Sequence, residues 1–425
     1  MTARGFSRRG NIRLCKHRLQ RYCFCSGPRP WIEISSLSNS PAHRQKNRSS
    51  AVAFARASVR RLTVFAPTFT PDSRLMLFAP HPDDEALACS IILQHAVRAG
   101  AAIRVVYATD GDDNPWPQRV LERKWRLNAN DRKRWGKLRR AEALAALRVL
   151  GVDGSAAFFI GLPDQKLTTL LMNDCRFTLE RFAALITDWA PTDLLLPSIS
   201  DTHPDHSALA VMIRLVLSES FSSDTFISLW SYAVHGKSPA FFDRAEAVPQ
   251  SKSETAAKLR AIRCHKTQLK LSRKRFLGYA ARPERLVNLA ASDKTITDGP
   301  ISSISRESDW LRVELRLSAK AVRPAESALF VLGHDEAGAL RCARMRVPAR
   351  SSRVEMLDCT TLECIAVARY RGSAFAGELA IPVDSFSSAD ALFVKLDRRS
   401  WFFDEAGWLE VPSTRFEQIA ASKRN

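Results

Sequence analysis

Between Leu75 and Tyr232 five short apolar runs alternate with stretches of helical composition: Leu75–Phe78, Ile103–Ala108, Ala156–Ile160, Leu194–Pro197 and Phe226–Tyr232. Strands separated by helices need crossover connections, which puts them in a parallel sheet covered on both faces. The helical stretches fall over Glu85–Ala99, stopped by Gly100, over Lys137–Leu150, stopped by Gly151, and over Leu179–Trp189, closed by Ala190-Pro191. In a doubly wound, Rossmann-like sheet of this kind, ligands gather at the carboxyl ends of strands where the chain order reverses. The loops that follow the apolar runs are therefore the places to look for chemistry.

A chain of 425 residues is too long for one core, and its texture changes near Asp298. Trp310–Leu317 alternates apolar and charged residues, the period of a half-exposed strand. Short runs of the same kind recur at Ala328–Leu332, Arg353–Leu357, Ile365–Tyr370, Glu378–Val383, Ala391–Leu396 and Trp408–Val411. A small antiparallel β-sandwich over 298–425 is expected, serving as an accessory domain. Its aromatics Trp310, Trp401, Phe402, Phe403 and Trp408 read either as core residues or as platforms for sugar rings.

The first sixty residues differ again. From Met1 to Arg60 thirteen Lys/Arg face one acid, Glu33, so twelve of the net +20 charges lie there. With no periodic apolar pattern, 1–60 reads as a disordered basic arm, or alternatively as an anchor for nucleic acid or anionic lipid at a membrane surface. It lacks the apolar run of a secretory signal, and nothing in the chain approaches the roughly 18 apolar residues of a membrane span. The nine scattered cysteines contain no CxxC pair, which fits reduced thiols and a cytoplasmic setting. No repeat and no RNA-binding signature is present.

The loop after the first run carries His81, Asp83, Asp84 and Glu85 within "PHPDDE". Three adjacent carboxylates repel unless something positive sits among them. A catalytic zinc takes three N/O ligands and keeps one position open. His81 and Asp84 supply two such ligands from a loop stiffened by Pro82, and the third should come from another loop. After the fourth run, "SDTHPDHSAL" places His203 and His206 three apart, with Pro204 suited to the first helical turn, so both imidazoles share a side. Glu85 reads as a first-turn helix acid favoured by the dipole. His95, His235 and His334 read as packing or surface histidines, although His235 follows the fifth run and has a place beside the pocket.

These residues resemble those of the PIG-L/LmbE-like deacetylase family, zinc amidohydrolases that remove N-acetyl groups from sugars. The resemblance spans about Leu75 to Glu284 and rests on "PHPDDEALAC" and "PSISDTHPDH". Supporting it are Thr109-Asp110-Gly111-Asp112, Arg139 and Glu142 on one helix, and Gly161-Leu162-Pro163-Asp164. Two departures stand out: Ala88-Cys89-Ser90 replaces the usual glycines, and Thr267 in "KLRAIRCHKTQ" replaces a serine. The resemblance implies a sheet order 3-2-1-4-5 over a domain at 61–297. It implies Zn2+ held by His81, Asp84 and His206, Asp83 as general base, and His203 as acid or oxyanion stabiliser. Asp110, Arg139, Asp164, Asp201 and Asp205 are its candidates for substrate contact or support of the ligands, Asp164 reading equally as a turn residue.

The implied activity is removal of the N-acetyl group from an amino sugar or its conjugate by metal-activated water. Two alternatives stand beside it: a non-catalytic glycan- or nucleic-acid-binding protein on the same fold, and a hydrolase of a non-sugar amide. The complete set of three ligands, base and acid argues for the enzyme. Between Arg119 and Arg140 ten Lys/Arg face Glu122 and Asp131, with Trp125 and Trp135 interleaved. That segment reads as a solvated helical face, or as a cationic rim that holds an anionic substrate.

Overall fold

The computed structural model describes residues 66–220, 227–236, 238–289, 299–307, 309–317, 327–400 and 402–413. The basic arm over 1–60, Phe226 and Trp401 lie outside them. From Leu62 to Asn425 the chain forms one compact unit.

The first sheet is built from β1 (Arg74–Ala79), β2 (Ala102–Thr109), β3 (Ala157–Leu162), β4 (Asp193–Pro197), β5 (Ser228–Tyr232), β6 (Glu246–Ala247) and β7 (Arg285–Asn288). Its order is β3-β2-β1-β4-β5-β7-β6. The first five strands are mutually parallel, with Leu75 beside Ile103 on one side and Asp193 on the other. The 3-2-1-4-5 order is present and extended by two antiparallel strands, β7 and β6. Chain order reverses between β1 and β4, so the loops carrying His81 and His203 leave adjacent strands at the same edge.

Helices cover both faces. On one side lie α1 (Asp84–Ala88), α2 (Ser90–Arg98) and, following α3 (Pro115–Glu122), α4 (Ala129–Val149). On the other lie α5 (Leu167–Asn173), α6 (Arg176–Trp189) and α7 (Pro204–Ser220). The short α8 (Pro239–Phe242) precedes α9 (Lys252–Cys264) and α10 (Lys266–Gly278), and α9 packs with α2 and α4.

Two helix expectations need correction. The helix expected over Glu85–Ala99 is broken at Cys89, whose φ of −130° is not helical. The Glu284 carboxylate accepts the backbone N–H groups of Ile91 and Ile92, satisfying donors that the new helix start exposes. The helix expected from Lys137 begins at Ala129, because Asn128 and Asp131 form a reciprocal capping box.

The remaining strands are β8 (Ile301–Glu307), β9 (Trp310–Arg316), β10 (Ala328–His334), β11 (Leu340–Arg346), β12 (Arg350–Asp358), β13 (Cys364–Ser373), β14 (Ala376–Pro382), β15 (Leu392–Asp397), β16 (Arg399–Ser400), β17 (Phe403–Asp404) and β18 (Leu409–Val411). A sandwich of two sheets does not form. Nine of these strands make one continuous antiparallel sheet, β18-β15-β10-β11-β12-β13-β14-β9-β8, whose end strands β8 and β18 approach one another as in a barrel. The pair β16–β17 is a separate hairpin.

The two sheets share a core. Helix α7 is apolar nearly all round, which demands cover on every side. Its Leu209, Met212, Ile213 and Val216 pack with Phe330, Leu332, Phe393 and Trp408 of the antiparallel sheet and the segment before β18. β10 is buried along its whole length because its other face, with Leu329 and Val331, fills the interior of that sheet. Among the described residues no helix is long and apolar enough to cross a membrane, and the six cysteines are free thiols.

The segment between β17 and β18 is pressed onto the loop that follows β4. Trp408 N–H donates to the Ile199 carbonyl at 2.9 Å, and a Cβ on Gly407 would lie 2.2 Å from that same oxygen. No side chain fits there. Gly407→Ala should therefore lower the unfolding free energy by about 1–3 kcal/mol, the usual cost of overpacking. A urea midpoint equal to that of the parent would show that the contact yields freely.

Candidate metal centre

Three ligand-type atoms converge at the carboxyl edge of the parallel sheet. His206 Nε2 lies 3.3 Å from His81 Nδ1 and 3.4 Å from Asp84 Oδ2, and His81 Nδ1 is 3.4 Å from Asp84 Oδ2. All three residues are buried. Atoms so spaced form one face of a tetrahedron whose centre is about 2.1 Å from each, the distance at which zinc binds nitrogen and oxygen. Other groupings, His81/His203/His206, Asp84/His206/His235 and His81/Asp164/Asp205, also bring ligand-type atoms within 4.8 Å. The atoms of His81, Asp84 and His206 are almost equally spaced.

Both histidines are held from behind. His81 Nε2 faces Asp164 Oδ1 at 3.2 Å and Asp205 Oδ2 at 3.3 Å, which favours a proton on that nitrogen and turns Nδ1 towards Asp84 and His206. His206 Nδ1 faces Asp201 Oδ2 at 3.2 Å. Each carboxylate is itself anchored by backbone N–H groups. Asp205 accepts from Gln165 and Leu167, Asp201 from His203, Val234 and His235, and Asp164 from Asp113. Burial opposes charge on His81 and His206, but the surrounding carboxylates outweigh it and raise both imidazoles above their ordinary value. Burial likewise opposes ionisation of Asp84, yet His206 and His81 hold its carboxyl well below the usual range. This is a pocket arranged for a cation.

Asp83 is set apart from the triangle. Its φ of 151° and ψ of −20° lie where few residues other than glycine are found, at a cost on the order of 1–3 kcal/mol. Surrounding bonds over-determine the geometry. Its N–H donates to Glu85 Oε2 at 2.9 Å, and Glu85 Oε1 meets His265 Nε2 at 2.9 Å. Arg139 Nη2 lies 3.0 Å from Asp83 Oδ2 and donates to the Pro82 carbonyl, while Nη1 donates to the Gly111 carbonyl. Gly111, with φ +62°, leaves room for that guanidinium, which would stand 1.7 Å from any Cβ. Burial pushes the Asp83 carboxyl up to about 6, against the pull of Arg139.

His203 sits at the mouth, its ring centroid 4.7 Å from that of His81 and 4.9 Å from that of His206. Its Nδ1 accepts the Asp205 N–H at 3.3 Å, which leaves the ring proton on Nε2. Burial, then its histidine neighbours, hold the imidazole well below its ordinary value, so it is neutral. His235 is the residue whose position the sequence left least settled. Its ring lies edge-on to His206 at 4.9 Å between centroids and tilted against Phe403 at 5.2 Å, and its Nδ1 meets Arg275 Nη2 at 3.2 Å.

Other expected residues lie further from the centre. Asp110 is gripped by both arms of Arg140 at 2.6–2.7 Å. Glu85 stands in the first turn of α1, as expected, and is buried there between the Asp83 N–H and His265. Thr267 gives its hydroxyl to Glu142 at 2.6 Å, so threonine performs the bond a serine would make. His95 and His334 pair with Glu254 and Glu219, away from the centre. Of the ten cations between Arg119 and Arg140, Lys124, Arg132, Arg134, Arg139 and Arg140 are already paired with acids. Trp125 is exposed and Trp135 buried.

The family model described as PIG-L, GlcNAc-PI de-N-acetylase, matches residues 76–217. The chain is 28% identical over 261 residues to a 1D-myo-inositol 2-acetamido-2-deoxy-alpha-D-glucopyranoside deacetylase of Mycobacterium sp. (strain JLS), covering 52% of this chain and 83% of that one. Among solved structures it is similar to GalB, the 4-carboxy-2-hydroxymuconate hydratase of Pseudomonas putida KT2440. There the TM-score is 0.40 and the identity 19%, over 49% of this chain and 83% of that one. It is also similar to the N,N'-diacetylchitobiose deacetylase of Pyrococcus horikoshii, with a TM-score of 0.36 and 16% identity over 46% and 70% of the two chains.

The opposite shifts of the two mouth-to-centre histidines can be read directly. In metal-free protein near pH 6.5, nitrogen NMR should find His206 charged and His203 neutral with its proton on Nε2. Equal titration of the two rings would contradict the asymmetry.

Proposed function

We propose that the chain is a zinc-dependent N-deacetylase that hydrolyses the acetamide of an N-acetylated amino sugar or its conjugate. The observation that carries this reading is the equilateral triangle of His81, Asp84 and His206 with a non-ligating carboxylate, Asp83, beside it. The family model that matches 76–217, and relatives named as deacetylases of an acetamido sugar, support the substrate class. We assign the catalytic domain to 61–297 and an accessory domain to 298–425.

His81, Asp84 and His206 would hold the zinc, with Asp164, Asp205 and Asp201 orienting the two imidazoles. Zinc supplies Lewis acidity and lowers the pKa of water towards about 7. Asp83, ionised above about pH 6, takes the proton from the attacking water and carries it towards the leaving amine. Arg139 holds that carboxylate in place. His203, neutral and protonated on Nε2, donates to the oxygen that becomes negative as the carbonyl carbon turns tetrahedral. Its depressed basicity fits the donor role better than that of a charged acid.

His81→Ala, Asp84→Ala and His206→Ala should each abolish metal binding and turnover together, measured as zinc per chain after dialysis. Full occupancy in all three would sink the ligand set. Asp164→Asn and Asp205→Asn should weaken zinc binding by about 10–100-fold, the usual effect of losing a partner behind a ligand.

Asp83→Asn should keep its zinc and lose roughly 10²–10⁴ in turnover. In the parent protein kcat/KM should fall as pH drops through about 6, since the base must be ionised. Arg139→Met removes the charge that opposes the upward shift, so that limb should move to higher pH. A limb that stays put would remove Arg139 from the support of the base.

A further inference from the structure

His81, Asp84 and His206 are enclosed, whereas His203 and His235 are half-buried and Arg275 is exposed, so access runs past these three. The wall of that access is completed by a residue from the separate hairpin β16–β17. The Phe403 ring lies 5.2 Å from His235 and 5.9 Å from His203, the latter edge-on at 77°. The Arg275 guanidinium, which also meets His235, stands 5.7 Å from the ring centroid.

Phe403 is held there by its own element. In the hairpin β16–β17 it pairs with Ser400, and its neighbour Asp404 donates its N–H to the Thr202 carbonyl at 2.8 Å, one residue before His203. The Asp404 carboxylate is joined to the buried Lys395 ammonium of β15. Three and four residues further along the same run, Gly407 and Trp408 clamp onto Ile199. The hairpin thus rides on the loop that carries His203, and the ring cannot shift without moving the mouth. A residue needed only for packing would be turned into a core, yet Phe403 remains half-buried at the opening.

We propose that Phe403 is a specificity-determining residue lent to the site by the β16–β17 hairpin of the all-β half: its ring is the apolar wall against which the substrate's sugar ring lies. The inference rests on the deacetylase reading above and deepens it. A pyranose presents a face of C–H bonds that is apolar, and flat aromatic side chains cover such faces well. Acetamide bound at the triangle with its oxygen near His203 leaves the attached ring to extend outward past His203 and His235, where Phe403 stands. The family match over 76–217 contains none of β8–β18, so this wall lies outside the matched segment, in the β16–β17 hairpin.

The test compares zinc-loaded full-length protein with Phe403→Ala, Phe403→Leu and Phe403→Trp on two amides, N-acetylglucosamine and the ringless N-acetylethanolamine. Phe403→Ala should raise KM for N-acetylglucosamine about five- to ten-fold, the scale of one lost aromatic contact, with kcat within about two-fold. KM for N-acetylethanolamine and the zinc content should not change. Phe403→Trp should restore the lower KM, and Phe403→Leu, which keeps the bulk, carries the same reading should the alanine variant fail to fold. Calorimetry with glucosamine on zinc-free protein should show a matching loss of affinity. An unchanged KM for the sugar, or equal losses on both amides, overturns the inference while leaving the deacetylase intact. A parent protein that hydrolyses neither amide overturns the deacetylase reading and this inference with it.

Discussion

His81 uses both of its ring nitrogens, and the rest of the site is arranged around that fact. One nitrogen faces Asp84 and His206, the other Asp164 and Asp205. A buried imidazole between four such groups is tolerable only if every carboxylate is compensated, because unpaired charge in a low-dielectric interior costs several kcal/mol. Backbone N–H groups from the segments after β3 and β5 provide part of that compensation. These segments come together only because β1 and β4 are neighbours in the sheet. The strand order is therefore a precondition of the electrostatics.

The same logic explains the second sheet. Helix α7 carries His206 on its first turn and is otherwise apolar on nearly every face. The parallel sheet can cover only part of such a helix. β10, Phe393 and Trp408 cover the rest, and in doing so they bring the segment around Gly407 into contact with the loop before His203. Cover for an apolar helix and a wall for the mouth of the centre arise from one packing event.

Much of this was legible in the residues. The apolar runs located β1 to β5 to within two residues, since a strand buried on both faces must be continuously apolar. The helix over Glu85–Ala99 was misjudged because its break depends on Glu284, nearly 200 residues away. The start of α4 was missed because charged Arg132, Lys133 and Arg134 obscured the capping signal of Asn128 and Asp131. β8 and β11 passed unnoticed because serine and arginine dilute their alternation. The expected sandwich became one sheet because strand pairing across distant segments leaves no local pattern.

The sequence by itself determined which side chains are available at the ends of β1 and β4, since covalent order alone places His81, Asp83 and Asp84 in one loop and His203 and His206 in another. It also determined that the first half must be a parallel sheet, because apolar runs separated by helices leave no other way to bury them. Only the tertiary structure decided what each polar residue does. Asp164, Asp205 and Asp201 became partners of His81 and His206 and Asp110 a partner of Arg140, because those contacts join segments 30 to 124 residues apart, or, for Asp201, depend on where a helix turns its first imidazole. Phe403 reached the mouth for the same reason: its place follows from how α7 is covered, and the energy of that packing is a property of the assembled core, not of any short stretch of chain.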